Sequence, residues 1–548
     1  MRGTGIAMPK ENFMDSLSLT RRDFLKGLAA AGLLGGSLGS GWSTIGTKET
    51  GIPKWDKEAD VVVVGFGAAG AAAAITAHDA GTKVILLEKQ PKGQEGGNSR
   101  VSGNIYLCPL PEKEKLFAEY LKNCDFWDQL PDDVSKAAAA EFVKNEEWLT
   151  KMGANIVVFP FPAEVLVPGG ESVRCATQGG KLGEEAMWEV IAPNVVNREI
   201  EVLYGTPGKR LVQTCEGEII GIIAESRGKE IAIKAKRSVI LTTGGYEYDE
   251  QMQKDYSPAY PIYYFGTPSN TGDGVRMAQA VGAELWHMNN VMGAICGGLK
   301  VPEYKAPLFT SFGILGALTG AAVFGFTFVD KFGKRFMDEA KDSRHGWGWR
   351  EILYFNAEEM TYPMIPWYGI FDEKVRTQGP LGATFGGWAA RIEGATWSPD
   401  NSAEIAKGWI IKAGSIKELG EKILARKANE GKMSPARLAE TVTGYNECCK
   451  QGEDPDFNRP GKTLKPIDTP PFYAMELWPS SVNTQGGPKR DPKGRIVNVW
   501  GKPIPRLYSA GELGSIWASL YQGTGNLGEC LAFGRIAGRN AAAEKPWK

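Results

Sequence analysis

The sequence predicts an α/β fold built around a Rossmann-type dinucleotide-binding domain, and three neighbouring features predict it. The run VVVV at 61–64 has the composition of a parallel strand buried on both faces. The motif GFGAAG at 65–70 follows it and opens an alanine-rich helix. A second apolar strand, KVILLE, then ends at Glu88. This succession of strand, glycine turn, helix, strand and acid is the fingerprint of a dinucleotide site.

Each position of the turn has a physical role. Gly65 permits the tight turn, Gly67 lets the backbone approach the pyrophosphate, and Gly70 allows the helix and strand to pack closely. The pyrophosphate is expected at the N-terminus of the helix, where backbone N–H groups point at the ligand. Glu88 follows at the ~20-residue spacing at which a carboxylate accepts hydrogen bonds from the adenosine ribose.

Composition sets the outer limits on function. The chain has 548 residues, enough for two or three domains with a large buried core. Its 63 basic and 64 acidic side chains nearly cancel, so no nucleic-acid partner is expected. Eight cysteines without a CxxC spacing are too few for a disulfide scaffold, and they disfavour a zinc ribbon or an attached c-type haem. A metal site is therefore not predicted.

The first 45 residues have the pattern of an export signal. The stretch SLTRRDFLKGLAAAGLLGGSLGS pairs Arg21 with Arg22 ahead of an apolar run of small residues. It resembles a twin-arginine signal peptide, spanning residues 1–45. The resemblance implies export by the twin-arginine translocase to the periplasm or cell envelope. A route that carries folded proteins suits a protein that must acquire its cofactor in the cytoplasm.

A second apolar run, at 306–329, carries no charge over 24 residues. That length is enough to span a bilayer. Its glycines, and the β-branched and aromatic residues at its end, favour a buried strand and pocket wall instead.

Further motifs follow in order and identify a family resemblance. The loop GQEGGNSRVSGNIYL at 93–107 is a second glycine- and serine-rich turn, and it is followed by SVILTTGGYEYDEQM, NTGDGVRMAQAVGAEL, VDKFGKRFMDE and GGPKRDPKGRIVNVWGKPIPRLYSAGELGS. In this order they resemble the fumarate reductase and succinate dehydrogenase flavoprotein superfamily, which also contains the 3-ketosteroid dehydrogenases. The resemblance covers residues 58–290 and 480–542 well and the middle of the chain poorly.

The resemblance implies FAD as the cofactor and a discontinuous domain. We expect an FAD-binding domain at 56–288 and 472–548, with an inserted α+β capping domain at 289–471. No histidine lies near the second glycine loop to form a histidyl link, so non-covalent FAD is predicted. The expected cofactor contacts are Gly65, Gly67, Ala69, Gly70, Glu88, Lys89, Gly97, Asn98, Ser99, Ser102, Gly103, Gly244, Asp273, Glu512, Asn526 and Leu527.

The C-terminal stretch at 516–532 bears on the substrate. In the fumarate reductase branch a C-terminal His and Arg clamp a substrate carboxylate, but this stretch contains no Arg, Lys or His. It has Tyr521, with Gly525 four residues later. This pair resembles the 3-ketosteroid dehydrogenase arrangement, in which a tyrosine hydroxyl and a glycine N–H hold a ketone oxygen. The loop that follows is one residue shorter than in that branch, and a packed tyrosine bonded to a backbone carbonyl is the alternative.

Candidates for the proton partner come from the cap. Tyr368 lies in an aromatic segment, although a tyrosine with a pKa near ~10 is a poor base at neutral pH. Arg344 follows RFMDE, where the resemblance implies substrate contacts, but the register does not align and a surface role stays open.

Together these features predict an exported FAD-dependent oxidoreductase. It would move hydride between flavin N5 and a carbonyl-activated C=C bond, as an enone or enoate reductase acting on an apolar or aromatic substrate. By family analogy, a separate cytochrome or quinol-linked partner would supply electrons. Three alternatives stay open: a 3-ketosteroid-type dehydrogenase introducing a C=C bond, a fumarate or unsaturated-carboxylate reductase, and an electron-transfer flavoprotein subunit without a pocket of its own.

Overall fold

The computed structural model describes residues 53–292, 296–312, 325–340, 349–383 and 386–547. The predicted signal at 1–45 and the candidate Arg344 lie outside these residues. The side chains of Cys296, Trp349, Arg350 and Ala383 are likewise outside the description.

The first segment of the chain forms most of a Rossmann-type domain. Its strands are β1 (Lys57–Val64), β2 (Val84–Leu87), β3 (Ile105–Leu107), β4 (Ile156–Phe159), β5 (Cys175–Gln178), β6 (Glu201–Leu203), β7 (Gly208–Gln213), β8 (Ile219–Ser226), β9 (Lys229–Leu241), β10 (Tyr263–Tyr264) and β11 (Leu285–Trp286). Its helices are α1 (Ala68–Asp79), α2 (Gly97–Arg100), α3 (Glu114–Asn123), α4 (Asp132–Phe142), α5 (Asn145–Lys151), α6 (Ala186–Val196), α7 (Glu250–Tyr256) and α8 (Asp273–Ala280).

The cap and the C-terminal segment complete the fold. The cap strands are β12 (Cys296–Gly298), β13 (Phe309–Thr310), β14 (Phe326–Val329), β15 (Trp367–Asp372), β16 (Gly382–Ala383), β17 (Ile410–Ala413) and β18 (Phe472–Ser481). The cap helices are α9 (Trp349–Ile352), α10 (Glu373–Arg376), α11 (Trp388–Arg391), α12 (Ser402–Ala406), α13 (Ile416–Leu424) and α14 (Pro435–Gln451). The final segment adds β19 (Gly487–Pro488), β20 (Arg495–Val497), β21 (Pro503–Ser509) and α15 (Gly525–Ala543).

The main sheet has the order β20-β21-β9-β1-β2-β6, with β8 and then β7 attached beside β9. Strand β1 pairs in parallel with both β2 and β9, and its four valines are buried. Burial on both faces explains their unbroken apolar run. The predicted α/β fold class is confirmed.

Small residues let α15 pack closely on α1. A Cβ at Gly534 would meet the Ala69 carbonyl oxygen at 2.7 Å, and one at Gly538 would meet that of Ala73 at 2.5 Å. The alanines of α1 are almost completely buried in this contact. The C-terminal helix is therefore seated directly behind the glycine turn.

A buried ion pair joins α15 to α4. The Glu141 carboxylate accepts hydrogen bonds from Arg535 Nε and Arg539 Nη2, both at 2.9 Å. Burial alone would raise the pKa of Glu141, but the hydrogen bonds from Arg539 and the charge of Arg535 outweigh it and lower that pKa to about 2. The carboxylate therefore stays ionised in the folded protein under mildly acidic conditions.

This pair predicts a pH dependence of stability. Because the folded-state pKa lies below the ordinary value of 4.5, Glu141 stabilises the fold above that pH and loses its contribution as the pH falls towards about 2. The contribution is at most about 3 kcal/mol. We expect Glu141→Gln to flatten the acid side of a denaturation-midpoint profile measured from pH 6 to pH 2. The control Glu112→Gln, at an exposed position, should leave that profile unchanged. If Glu141→Gln has the same acid-side slope as the wild type, Glu141 is not the source of the pH dependence.

The cap is built on a six-stranded sheet in which β18 is central. Strand β18 pairs antiparallel with β15, β17 and β12 and parallel with β10. The sequence predicts that the FAD-binding domain resumes at residue 472, and this boundary stays a prediction. Residues 472–481 pair with strands of the cap, so a boundary after Ser481 would leave the cap sheet whole.

The apolar run at 306–329 contains two strands, β13 and β14, and residues 313–324 lie outside the description. All four residues of β14 are buried, as predicted for a buried strand. Across the described ranges, no helix has both the length and the apolar character required to cross a membrane.

A buried charge network anchors β14 to the rest of the cap. Glu339 accepts hydrogen bonds from Arg335 Nε at 3.0 Å and from Arg459 Nη1 at 3.0 Å. Arg335 Nη2 also donates to Asp454 at 2.8 Å, and Arg459 Nη1 donates to the Phe326 carbonyl at 2.8 Å. The side chains of Glu339, Asp454 and Arg459 are fully buried. Both guanidinium groups therefore bond to partners within the cap and stabilise it.

Candidate active site

The glycine turn between β1 and α1 has the geometry that close ligand approach requires. Gly65 has φ +107°, and a Cβ there would lie 2.4 Å from the Thr242 carbonyl oxygen. A Cβ at Gly70 would lie 1.9 Å from the Gly65 carbonyl oxygen. A Cβ at Gly67 would meet nothing closer than 3.6 Å. Gly65 and Gly70 are therefore required by the turn itself, whereas Gly67 leaves open space for a ligand.

Glu88 lies on the wall of the same cleft, at the end of β2. One carboxylate oxygen accepts from Phe66 N at 2.9 Å and the other from Gln90 N at 2.7 Å. Burial raises the pKa of Glu88, and these two N–H bonds oppose that rise. The bonds fix the carboxylate in position, and each oxygen keeps a further lone pair that can accept from a ligand hydroxyl.

The second glycine loop joins the pocket to the C-terminal segment. Ser99 Oγ accepts from Ala68 N at 3.1 Å, so this loop contacts the first turn of α1. Asn98 accepts from Thr267 N at 2.7 Å and donates from Nδ2 to Glu512 at 3.0 Å. Lys89 pairs with Asp273 at 2.7 Å. Segments far apart in the chain thus form one continuous wall.

The cleft is open to solvent, and its empty space, including the solvent at its mouth, is about 800 Å³. Of the predicted cofactor contacts, its wall contains Gly65, Gly67, Ala69, Glu88, Lys89, Gly97, Asn98, Ser99, Gly244, Asp273 and Glu512. Gly70, Ser102, Gly103, Asn526 and Leu527 lie outside that wall. Further wall residues that the motifs did not single out include Gln90, Thr206, Thr242, Thr243, Thr267, Ser269, Asn270, Met277 and Cys530.

These residues fit FAD. A ribose-binding carboxylate is fixed at Glu88, the backbone at Gly67 is open to a pyrophosphate, and α1 points its N-terminus at the same place. The bound cofactor would be held by both glycine loops and by the segment that ends at Glu512.

Tyr521 lies behind the N-terminus of α15. Its hydroxyl oxygen accepts from Asn526 N at 3.1 Å, and its ring packs edge-on against Trp517 with centroids 5.5 Å apart. Burial raises the pKa of Tyr521, so the hydroxyl keeps its proton at neutral pH and can act as a donor. The helix start adds the positive end of its dipole. The bond to Asn526 N places the hydroxyl oxygen at the helix terminus, and the role of Tyr521 as a donor to substrate stays a prediction.

Gly525 is the first residue of α15, and its N–H donates to the Gln522 carbonyl at 2.9 Å. A Cβ at this position would lie 2.4 Å from the Trp517 ring, so the site requires glycine for packing. Of the two predicted carbonyl donors, Gly525 N–H therefore already has a partner within the turn. Its role as a donor to substrate stays a prediction.

Three residues that the sequence motifs did not single out, Glu164, Gln522 and Tyr120, hold this turn. Glu164 accepts from Gly523 N at 2.7 Å, and its own N–H donates to Gln522 Oε1 at 2.8 Å. Tyr120 OH donates to the same Gln522 oxygen at 2.7 Å. Glu164 and Gln522 lie far apart in the chain, so no spacing rule links them.

The cap residues considered as proton or carboxylate partners do not all join Tyr521 at this turn. Tyr368 is fully buried in a cap cluster with Val329, Ile370, Leu419 and Leu438. Arg335 is held in the ion network with Glu339 and Asp454, so it is not available as a carboxylate clamp. Arg344 lies outside the described residues.

Comparisons with known proteins identify the family of this chain. A family described as FAD binding domain matches residues 60–527. The chain is 28% identical to fumarate reductase (cytochrome) of Shewanella frigidimarina, over 88% of this chain and 77% of that one. It is also 28% identical to digoxin reductase of Eggerthella lenta, over 96% of this chain and 98% of the relative. The crystal structure of 3-ketosteroid delta1-dehydrogenase from Sterolibacterium denitrificans has a TM-score of 0.73 at 22% identity, with 89% of this chain and 100% of that chain covered, and shows the same fold.

Proposed function

The chain belongs to the FAD-binding domain family, and from this premise we propose that it reduces a C=C bond conjugated with a carbonyl group in a neutral, apolar or aromatic substrate. It is an FAD-dependent oxidoreductase whose relatives act on C=C bonds. When bound, reduced FAD supplies a hydride for the β-carbon of such a bond.

The position of Tyr521 carries the proposal. Hydride addition to a conjugated C=C bond moves negative charge onto the carbonyl oxygen, and a donor aimed at that oxygen stabilises it. Tyr521 keeps its proton at the positive end of α15, and the stretch 516–532 contains no Arg, Lys or His to clamp a carboxylate. The described guanidinium groups of the cap network, Arg335 and Arg459, are committed to carboxylates. A neutral carbonyl therefore suits this site better than a dicarboxylate.

The proposal extends to the setting of the reaction. The signal-like residues 1–45 support export by the twin-arginine translocase to the periplasm or cell envelope. An exported reductase needs an external electron source, and a separate cytochrome or quinol-linked protein fits that need. FAD would be bound without a covalent link.

Anaerobic reoxidation tests the substrate class. The purified, FAD-loaded protein would be reduced with dithionite and followed at the flavin absorbance band against two panels of oxidants. Neutral enones, including steroid enones, form the first panel, and unsaturated carboxylates such as fumarate and cinnamates form the second. We expect fast reoxidation by the enones alone. Fast reoxidation by the carboxylates would contradict the proposal. Reduction of the oxidised protein by saturated ketones would show that it works as a dehydrogenase instead.

A further inference from the structure

Two glutamates lie beyond the carboxyl ends of two neighbouring parallel strands of the main sheet. Glu247 follows the turn after β9, and Glu512 follows β21, which pairs in parallel with β9. Because the carboxyl ends of neighbouring parallel strands lie together, both side chains reach Gly245: its N–H donates to Glu512 Oε1 at 2.9 Å, and a Cβ there would lie 2.9 Å from Glu247 Oε1 and 3.0 Å from Glu247 Oε2. Both are buried, and Glu512 lies on the wall of the cofactor pocket.

The donors around the pair are divided unequally. Glu512 Oε1 accepts from Asn270 Nδ2 at 2.8 Å and from Gly245 N at 2.9 Å, and Asn98 Nδ2 bridges both Glu512 oxygens. Glu247 Oε1 accepts from Thr484 N at 2.9 Å. In the part of the chain described, no N–H or O–H donor reaches Glu247 Oε2. Glu512 therefore accepts hydrogen bonds from more donors than Glu247 does.

No cation bonds to either carboxyl among the described residues. The groups that bond to the pair are amides and backbone N–H groups, all neutral. The titratable side chains that interact with the pair include Tyr246, Tyr248, Tyr264, Glu529 and Cys530. The buried Arg490 guanidinium donates to the Gly511 carbonyl, next to Glu512, and to Glu529, rather than to either carboxyl of the pair. Two touching carboxylates cannot both ionise in such surroundings. Burial accordingly raises the pKa of both groups, and the charge of Glu247 raises that of Glu512 further.

We propose that Glu247 and Glu512 share one proton, so that the pair brings one negative charge rather than two to the FAD pocket. Glu247 does not line that pocket and acts through Glu512, which makes it a positioning residue. The single charge matters because reduction adds negative charge to the cofactor. A second carboxylate here would oppose that change and lower the midpoint potential.

The proposal is tested by infrared spectroscopy of the FAD-loaded protein at about pH 9, two units above the pKa of about 7 of the buried Glu529. At that pH Glu529 is largely ionised. We expect a protonated-carboxyl carbonyl band that shifts in D2O and is lost in Glu247→Gln. Glu373→Gln removes a carboxylate whose pKa is lowered to about 2, chiefly by hydrogen bonding to Arg376, and should keep the band.

Redox potentiometry gives a second readout. Glutamine mimics a protonated glutamate in shape and still donates a hydrogen bond, so Glu247→Gln should keep the wild-type FAD midpoint potential. Retention of the band in Glu247→Gln, or a higher midpoint potential in that variant, would overturn the proposal. If Glu247→Gln does not fold, absence of the D2O-sensitive band from the wild-type protein at about pH 9 overturns it as well. These measurements use no substrate, so they stand apart from the test of the proposed reaction.

Discussion

Replacing Glu339 by glutamine is expected to lower the free energy of unfolding of the cap by about 3–5 kcal/mol. The substitution removes the charge that balances Arg335 and Arg459, and it turns an amide NH2 towards guanidinium donors. The buried guanidinium groups cannot recover the lost interaction from water, because Arg459 is fully buried and Arg335 nearly so. The measurement is the urea midpoint of the FAD-loaded protein, followed by tryptophan fluorescence.

The exposed Glu440→Gln on α14 is the matched control, since it removes one carboxylate of the same cap without unpairing a buried charge. Its midpoint should equal that of the wild type. A loss below about 1 kcal/mol in Glu339→Gln, the size expected for a surface ion pair, would show that the network is not buried as described.

Tyr521→Phe is expected to slow enone-driven reoxidation of the reduced protein by about 100- to 1000-fold, the usual effect of removing one oxyanion donor. The ring still packs on Trp517, so substrate binding through apolar contacts should persist. Because the donor acts mainly as charge develops on the carbonyl oxygen, the rate constant should fall more than the apparent affinity. Stopped-flow absorbance over a range of enone concentrations separates the two quantities.

Tyr508→Phe is the control for this change. Tyr508 is also a buried tyrosine of the Rossmann-type domain, and its hydroxyl donates to Glu544 at 2.8 Å rather than to the turn at α15. That variant should reoxidise at the wild-type rate. Equal rates in Tyr521→Phe and the wild type would remove Tyr521 from the proposed site.

The dinucleotide-binding region could be read from sequence because its signals are local. Strand β1, the turn at Gly65–Gly70 and the acid at Glu88 lie within one short segment, and each has a steric or hydrogen-bonding reason for its residue type. The same locality explains why Asn98 and Glu512 were found, since each lies inside a recognisable motif. Their direct contact at 3.0 Å was not predictable, because no spacing rule connects residues so far apart.

The cap was predicted less well for a physical reason. Its sheet gathers β10, β12, β14, β15, β17 and β18 from distant parts of the chain, so no local pattern defines its edges. For this reason the sequence did not show that β18 pairs with the cap strands β12, β15 and β17. The partners of Arg335 could not be predicted either, because only the fold brings Glu339 and Asp454 to it.

The central place of β18 limits how this protein can be divided. Joining residue 288 to residue 472, as domain boundaries drawn from sequence would suggest, would keep β18 but delete β12, β15 and β17, its antiparallel neighbours. The shortened protein would carry a bare apolar strand edge, the kind of surface that recruits other chains into aggregates. A domain exchange with a relative should therefore transfer β18 together with the cap and rejoin the chains after Ser481.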